Sequence, residues 1–315
     1  MMDSLVKQVR AVGGNVYRRH LRRDVPILCL HRIRDVNGAG PAKLAELLDH
    51  CADRYQTITL GEFATILHAG RALPRNAVVI TFDDGTIDHF TLAAPALAAR
   101  GLSATFALIG CTLFERALPP LHAYMHLIET AAGRSFRFGF PPVLAERDWI
   151  LDADGKRVLL ADDCPLRRIV QAGDPALAAD VVTALGETLG IPLPDASDLF
   201  VTLDQARALV DAGHEPAGHS LRHQDVDEPD RKTWLRDLHA DFDVMNDAFG
   251  RRPHPYIYPF GRTRSPDVHA RIRDAGFCCA ATTQWGANRR GDDPFALRRI
   301  GIDNRTPIPW PPIYR

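Results

Sequence analysis

Two adjacent carboxylates, Asp83 and Asp84, follow the apolar run Ala77 to Phe82 and precede Gly85. A strand of that composition would carry both carboxylates to its C-terminal end, where Gly85 permits a sharp turn. Adjacent strand residues point to opposite sides. At a fraying strand end, one carboxylate can therefore bind a metal while its neighbour faces a reacting atom. Taken alone, Asp-Asp-Gly is equally good turn chemistry.

A second group is His219-Ser220-Leu221-Arg222-His223, preceded by Glu215-Pro216-Ala217-Gly218. Two histidines four apart on one helical turn are close enough to share a metal. Two imidazoles and one carboxylate, with a position open for water, make a catalytic zinc arrangement. An isolated pair of this spacing is more often two surface or capping histidines. The Asp-Asp pair reverses that reading, because it supplies both the missing ligand and a base. His122-Ala123-Tyr124-Met125-His126 has the same spacing but follows two prolines and no strand. It reads as a lid helix that could touch substrate. A third group, Tyr256-Ile257-Tyr258-Pro259-Phe260-Gly261-Arg262, ends a strand in a Pro-aromatic-Gly turn. Such a turn can present a backbone N–H to a developing oxyanion, and its ring can wall a sugar site.

In this order the three groups resemble the polysaccharide deacetylase family, the NodB homology domain of carbohydrate esterase family 4-like enzymes. The resemblance spans about residues 26 to 300. It implies that Asp83 is the general base and that Asp84, His219 and His223 bind one divalent metal ion, zinc first among the transition metals. It also implies that the Phe260 N–H stabilises the oxyanion. The chain departs from the family pattern twice. Ile257 stands where the third motif usually has an arginine that steadies the base, with Arg262 as the nearest replacement. The C-terminal Leu-x-x-His is missing from Phe295 to Arg299. Leu28-Cys29-Leu30-His31 supplies it at the first strand, as in permuted members, and a closed barrel makes first and last strands neighbours. His31 is then the expected general acid, lying across the metal from Asp83.

These residues need a scaffold, and the chain alternates strand-like and helix-like segments with short turns, which argues for parallel β/α architecture. The expected fold is α/β: a distorted (β/α) barrel of the NodB type, formed by residues 26–315. Residues 112–200 break the rhythm with Pro119-Pro120, Pro141-Pro142 and Pro192 to Pro194, and read as an insertion or lid. Residues 1–25 read as an N-terminal basic helix, packed on the barrel or in peripheral contact with a membrane surface. Its lack of a continuous apolar core argues against a signal peptide.

With 315 residues, 46% hydrophobic and 24% charged, the chain has an ordinary globular composition. A net charge of −1 argues against a nucleic-acid partner. Six cysteines without a Cys-x-x-Cys pair read as reduced thiols of a cytoplasmic protein, at the inner face of the membrane if the N-terminus touches it. No phosphate-binding glycine loop or Gly-x-Ser-x-Gly elbow is present, so no cofactor beyond the metal is expected. The expected activity is hydrolysis of an N-acetyl or N-formyl group from an amino sugar of a bacterial glycan, or from its lipid- or nucleotide-linked precursor. Two alternatives stay open at this level: a catalytically silent carbohydrate-binding barrel, and a metal hydrolase of a non-sugar amide or ester.

Overall fold

The computed structural model describes residues 24–34, 38–161, 163–172, 174–225, 231–261 and 266–310. The basic segment before Asp24 and Arg262 lie outside them.

Seven parallel strands close on themselves. Val25–Leu30 (β1) pairs with both Ala77–Phe82 (β3) and Leu297–Gly301 (β11). The ring continues from β11 through Cys279–Trp285 (β9), Pro255–Ile257 (β8), Glu215–Gly218 (β7) and Thr105–Leu108 (β4) back to β3. Gln56–Thr57 (β2) extends the sheet beside β3, and Ala287–Asn288 (β10) pairs antiparallel with β1. β1 and β3 are buried along their whole length, as strands covered on both faces must be, which explains their continuous apolar runs VPILCL and AVVITF.

Alternation along the strands sorts residues into two layers. Ile27, Val79, Ala107, Ala217, Ile257, Ala281 and Leu297 cluster with one another inside the barrel. Leu28, Leu30, Val78, Ile80, Phe82, Phe106 and Ile300 pack outward, sharing a core with the helix Pro41–Arg54 (α1). The interior is therefore a packed core rather than a pore. Leu60–His68 (α2) contributes Leu60, Phe63 and Ala64 to the inner cluster. Its start is fixed by a capping box in which the Thr59 side chain accepts from the Glu62 N–H and Glu62 accepts from the Thr59 N–H.

Between β4 and β7 the chain leaves the barrel. After the short helix Gly110–Leu113 (α3) come Pro120–Thr130 (α4) and a hairpin of Ser135–Phe140 (β5) with Leu144–Ile150 (β6). Ala153–Leu159 (α5), Pro165–Ala172 (α6) and Pro175–Leu189 (α7) follow. These elements form a core of their own around Tyr124, Leu127, Phe138, Trp149, Leu166, Val181 and Leu185. All six cysteines are free thiols. No described helix is long and apolar enough to cross a membrane.

Candidate active site

The strand-end aspartates sit at the C-terminal rim of the barrel. Asp83 follows β3, and its N–H donates to the Leu30 carbonyl at the end of β1 (2.8 Å). Asp84 then takes a left-handed backbone conformation, φ +78°. For a non-glycine residue that costs energy and persists only where the surroundings over-determine it. The kink turns the two carboxylates away from each other.

Asp84 faces the histidines. Its Oδ1 lies 3.3 Å from His219 Nε2 and 3.2 Å from His223 Nε2. The segment that carries the histidines is not the helical turn expected from their spacing. It is a loop, with Ser220 at φ +60° and His223 at φ +55°. The reason is its anchoring: the α3 amides of Gly110 and Cys111 donate to the Ser220 and Leu221 carbonyls (3.2 and 2.8 Å), and the His219 N–H donates to Leu108 O (3.0 Å). The two imidazole rings meet at 4.9 Å.

This donor set fits a metal ion. His219 Nδ1 lies 2.8 Å from the Ile257 carbonyl, so in the neutral ring Nδ1–H donates there and the Nε2 lone pair is turned toward Asp84. That Nε2 is buried without a hydrogen-bond partner. A buried lone pair facing a carboxylate oxygen is unfavourable unless a cation lies between them. Zinc bonds of about 2.0–2.1 Å at tetrahedral angles set ligand atoms about 3.3–3.4 Å apart, close to the separations seen. Burial pushes His223 down to about 4, keeping it neutral as a metal ligand must be. Burial would raise the Asp84 carboxyl, but His122, His219 and His223 outweigh it and hold it well below the usual range.

Asp83 has a different partner, which the sequence did not disclose. Arg299, from β11, donates from Nη1 to Oδ1 (2.6 Å) and from Nη2 to Oδ2 (2.7 Å). Arg299 Nε also donates to Thr282 O (2.7 Å), and Nη1 to Thr81 Oγ1 (3.2 Å). Both side chains of the pair are almost fully buried, 1% and 3% exposed. Burial alone would raise the Asp83 carboxyl; the guanidinium overcomes it and holds the group at about 2. The guanidinium beside Asp83 thus comes from the last strand. Ile257 is buried in the inner core and offers only its carbonyl, to His219.

His31 follows β1, and its Nε2 is 3.8 Å from Asp83 Oδ2. It stands beside Asp83 rather than across the site from it, because β1 pairs directly with β3. Its loop is pinned: Ile33 N–H donates to Asp88 Oδ2 (2.6 Å), and His89 Nε2 lies 3.1 Å from the His31 carbonyl. The protein packed around His31 opposes a charge on it, but the neighbouring Cys29 and the Asp83 and Asp84 carboxylates prevail, raising it to about 10. The side chain is half exposed, as a group meeting substrate would be. Phe260 lies in the turn after β8 at φ +58°, its ring against His223 at 4.7 Å. Gly261 follows at φ +62°, where a Cβ would collide with Thr283.

Of the second His-x-x-x-His pair, His122 reaches the site, 3.9 Å from Asp84 Oδ2. His126 does not; it contacts Thr130 on its own helix.

The polysaccharide deacetylase family model matches residues 157–280. That stretch holds His219, His223 and the Pro259-Phe260-Gly261 turn, but neither aspartate. No curated protein matches the chain in sequence. Among solved structures, the deacetylase PplD of Streptococcus pyogenes, in complex with acetate, is 15% identical with a TM-score of 0.57, over 90% of this chain and 94% of that one. IcaB from Ammonifex degensii is 17% identical at 0.57, over 89% and 92%. The BpsB deacetylase domain from Bordetella bronchiseptica is 18% identical at 0.53, over 89% and 96%. At such identities the likeness is one of fold.

Proposed function

Taking the chain as a barrel of the polysaccharide deacetylase family, we propose that it hydrolyses the N-acyl group of an amino sugar, in a bacterial glycan or in its lipid- or nucleotide-linked precursor. The observation that carries this reading is the division of labour between neighbouring aspartates. Asp84 is turned to two histidines in a metal-ligand arrangement, whereas Asp83 is held by Arg299 with His31 beside it.

In this reading Asp84, His219 and His223 hold one divalent ion, with zinc proposed from the mixed imidazole and carboxylate set. Such an ion supplies Lewis acidity to the acyl carbonyl and acidity to the attacking water. Asp83, kept ionised, takes a proton from that water as its oxygen bonds to the acyl carbon. With so low a pKa, Asp83 is a weak base in water, and it works only on a proton whose acidity has been raised. His31 Nε2–H, kept protonated, gives its proton to the nitrogen as the C–N bond breaks, yielding a carboxylic acid and a free amine. The Phe260 N–H is proposed as a donor to the developing oxyanion.

A third motif without its arginine would favour a silent carbohydrate-binding barrel. Arg299 now makes an arginine–base contact, and that support is gone. The test is release of free amine from an N-acetylated amino-sugar substrate by the wild type and by Asp83→Asn. Release by the wild type alone supports the reading; equal release by both, or none by either, counts against it.

A further inference from the structure

The geometry points to His122 as a positioning residue that holds the outer oxygen of Asp84, so that the insertion helps set the metal affinity of the barrel. The inference rests on reading Asp84, His219 and His223 as the metal ligands.

The two oxygens of Asp84 face different histidines. Oδ1 meets the Nε2 atoms of His219 and His223 at 3.3 and 3.2 Å, while Oδ2 faces His122 Nε2 at 3.9 Å, an ion-pair contact longer than a hydrogen bond. Among the described residues, two sets of three have ligand atoms all within 4.8 Å of one another: Asp84, His219 and His223, and, on the other side of the strand end, Cys29, His31 and Asp83. His122 falls outside both sets, on the far oxygen of Asp84. A carboxylate that binds through one oxygen leaves the other charged and unrestrained. A second donor fixes its orientation, and removing such outer partners typically costs about 10–100-fold in metal affinity. It also prevents the carboxylate from swinging to bind through both oxygens and filling a position needed by water and substrate.

His122 is well placed for this. Its side chain is only 16% exposed. Its ring packs edge-on against His223 (4.9 Å) and Phe200 (5.2 Å), which limits its rotation. It lies in the first turn of α4, whose residues Leu121, Ala123, Tyr124, Leu127 and Ile128 are buried in the insertion's own core. Tyr124 Oη donates to Leu159 O (2.9 Å), tying α4 to α5. The imidazole is thus delivered by the separately packed insertion outside the barrel strands. His122 Nδ1 is buried without a hydrogen-bond partner, so a proton on Nε2 turns the ring's one N–H toward Asp84 rather than burying it unpaired.

The test is Zn²⁺ affinity, measured by competition with a chromophoric chelator, for the wild type, His122→Ala, His122→Phe and His122→Gln, with the visible spectra of their Co²⁺ forms. Phe keeps the bulk of the ring without a donor, and Gln keeps a donor. We expect Ala and Phe to bind Zn²⁺ about 10–100-fold more weakly, Gln to recover most of the loss, and the Co²⁺ band intensities to stay as in the wild type. Affinity unchanged in Ala and Phe overturns the inference. So does a Co²⁺ spectrum that changes coordination type in Ala, which would make His122 a direct ligand. A wild type that binds no Zn²⁺ points instead to failure of the underlying metal reading. Matching thermal melts of the metal-free proteins separate either result from misfolding; if Ala does not fold, Phe and Gln carry the comparison.

Discussion

Arg299 grips both oxygens of Asp83 with one guanidinium, at 2.6 and 2.7 Å, across a separation of 216 residues in sequence. The pair is buried, bidentate and further bonded to Thr282 and Thr81. Breaking a buried pair by removing one partner leaves a charge stranded, at a cost of about 3–5 kcal/mol. Arg299→Met should therefore be destabilised by about that amount in urea unfolding. Adding Asp83→Asn, which removes the stranded charge, should recover a large part of it. A double variant no more stable than Arg299→Met would show that the pair is not what holds this part of the barrel.

Replacing the fork by a point charge tests geometry separately. Arg299→Lys keeps the charge but loses the two parallel hydrogen bonds. It should fold and bind metal, yet turn over substrate more slowly through kcat, because Asp83 is no longer held in one orientation. A change confined to KM would place Arg299 in substrate binding instead.

Much of this site was legible in the chain and part was not. The aspartate pair and the two histidines are rare groupings at the ends of short apolar segments, and the alternation of strands and helices located those ends. The loop form of the histidine segment was hidden, because it depends on left-handed backbone at Ser220 and His223 and on anchoring by the α3 amides. Arg299 was hidden for another reason. In Leu297-Arg298-Arg299-Ile300-Gly301 two arginines side by side look like an exposed loop, yet strand alternation turns Arg299 inward to Asp83 while Arg298 pairs with Asp292. A period-two reading with Leu297 facing inward would have exposed it. His122 was visible as half of a competing pair, but only the packing of the insertion brings it to Asp84.

The proposed general acid, His31, has its own signature. His31→Ala should lose about 10²–10⁴ in rate on an amide substrate, with metal content intact. On an activated ester, whose leaving group needs little protonation, the loss should be far smaller. Equal losses on both substrates would remove His31 from the proton transfer.

Its pH dependence follows from the same surroundings. The working form of His31 is the protonated one, present below its pKa and lost as pH rises through it. Because Cys29 and the Asp83 carboxylate raise that pKa against desolvation by the surrounding protein, the alkaline fall in kcat/KM should lie above 6.5. A rate profile with its alkaline midpoint near 6.5 would contradict the assignment.

The central claim is that Asp84, His219 and His223 form a metal centre on which deacylation depends. Acetate release from an N-acetylated amino-sugar substrate, followed before chelation, after chelation and after return of Zn²⁺, tests it most directly. The account predicts loss on chelation, recovery on adding about one equivalent of Zn²⁺, and no recovery in His219→Ala. Release that survives complete metal removal, or that returns in His219→Ala at the same Zn²⁺ concentration, would contradict it.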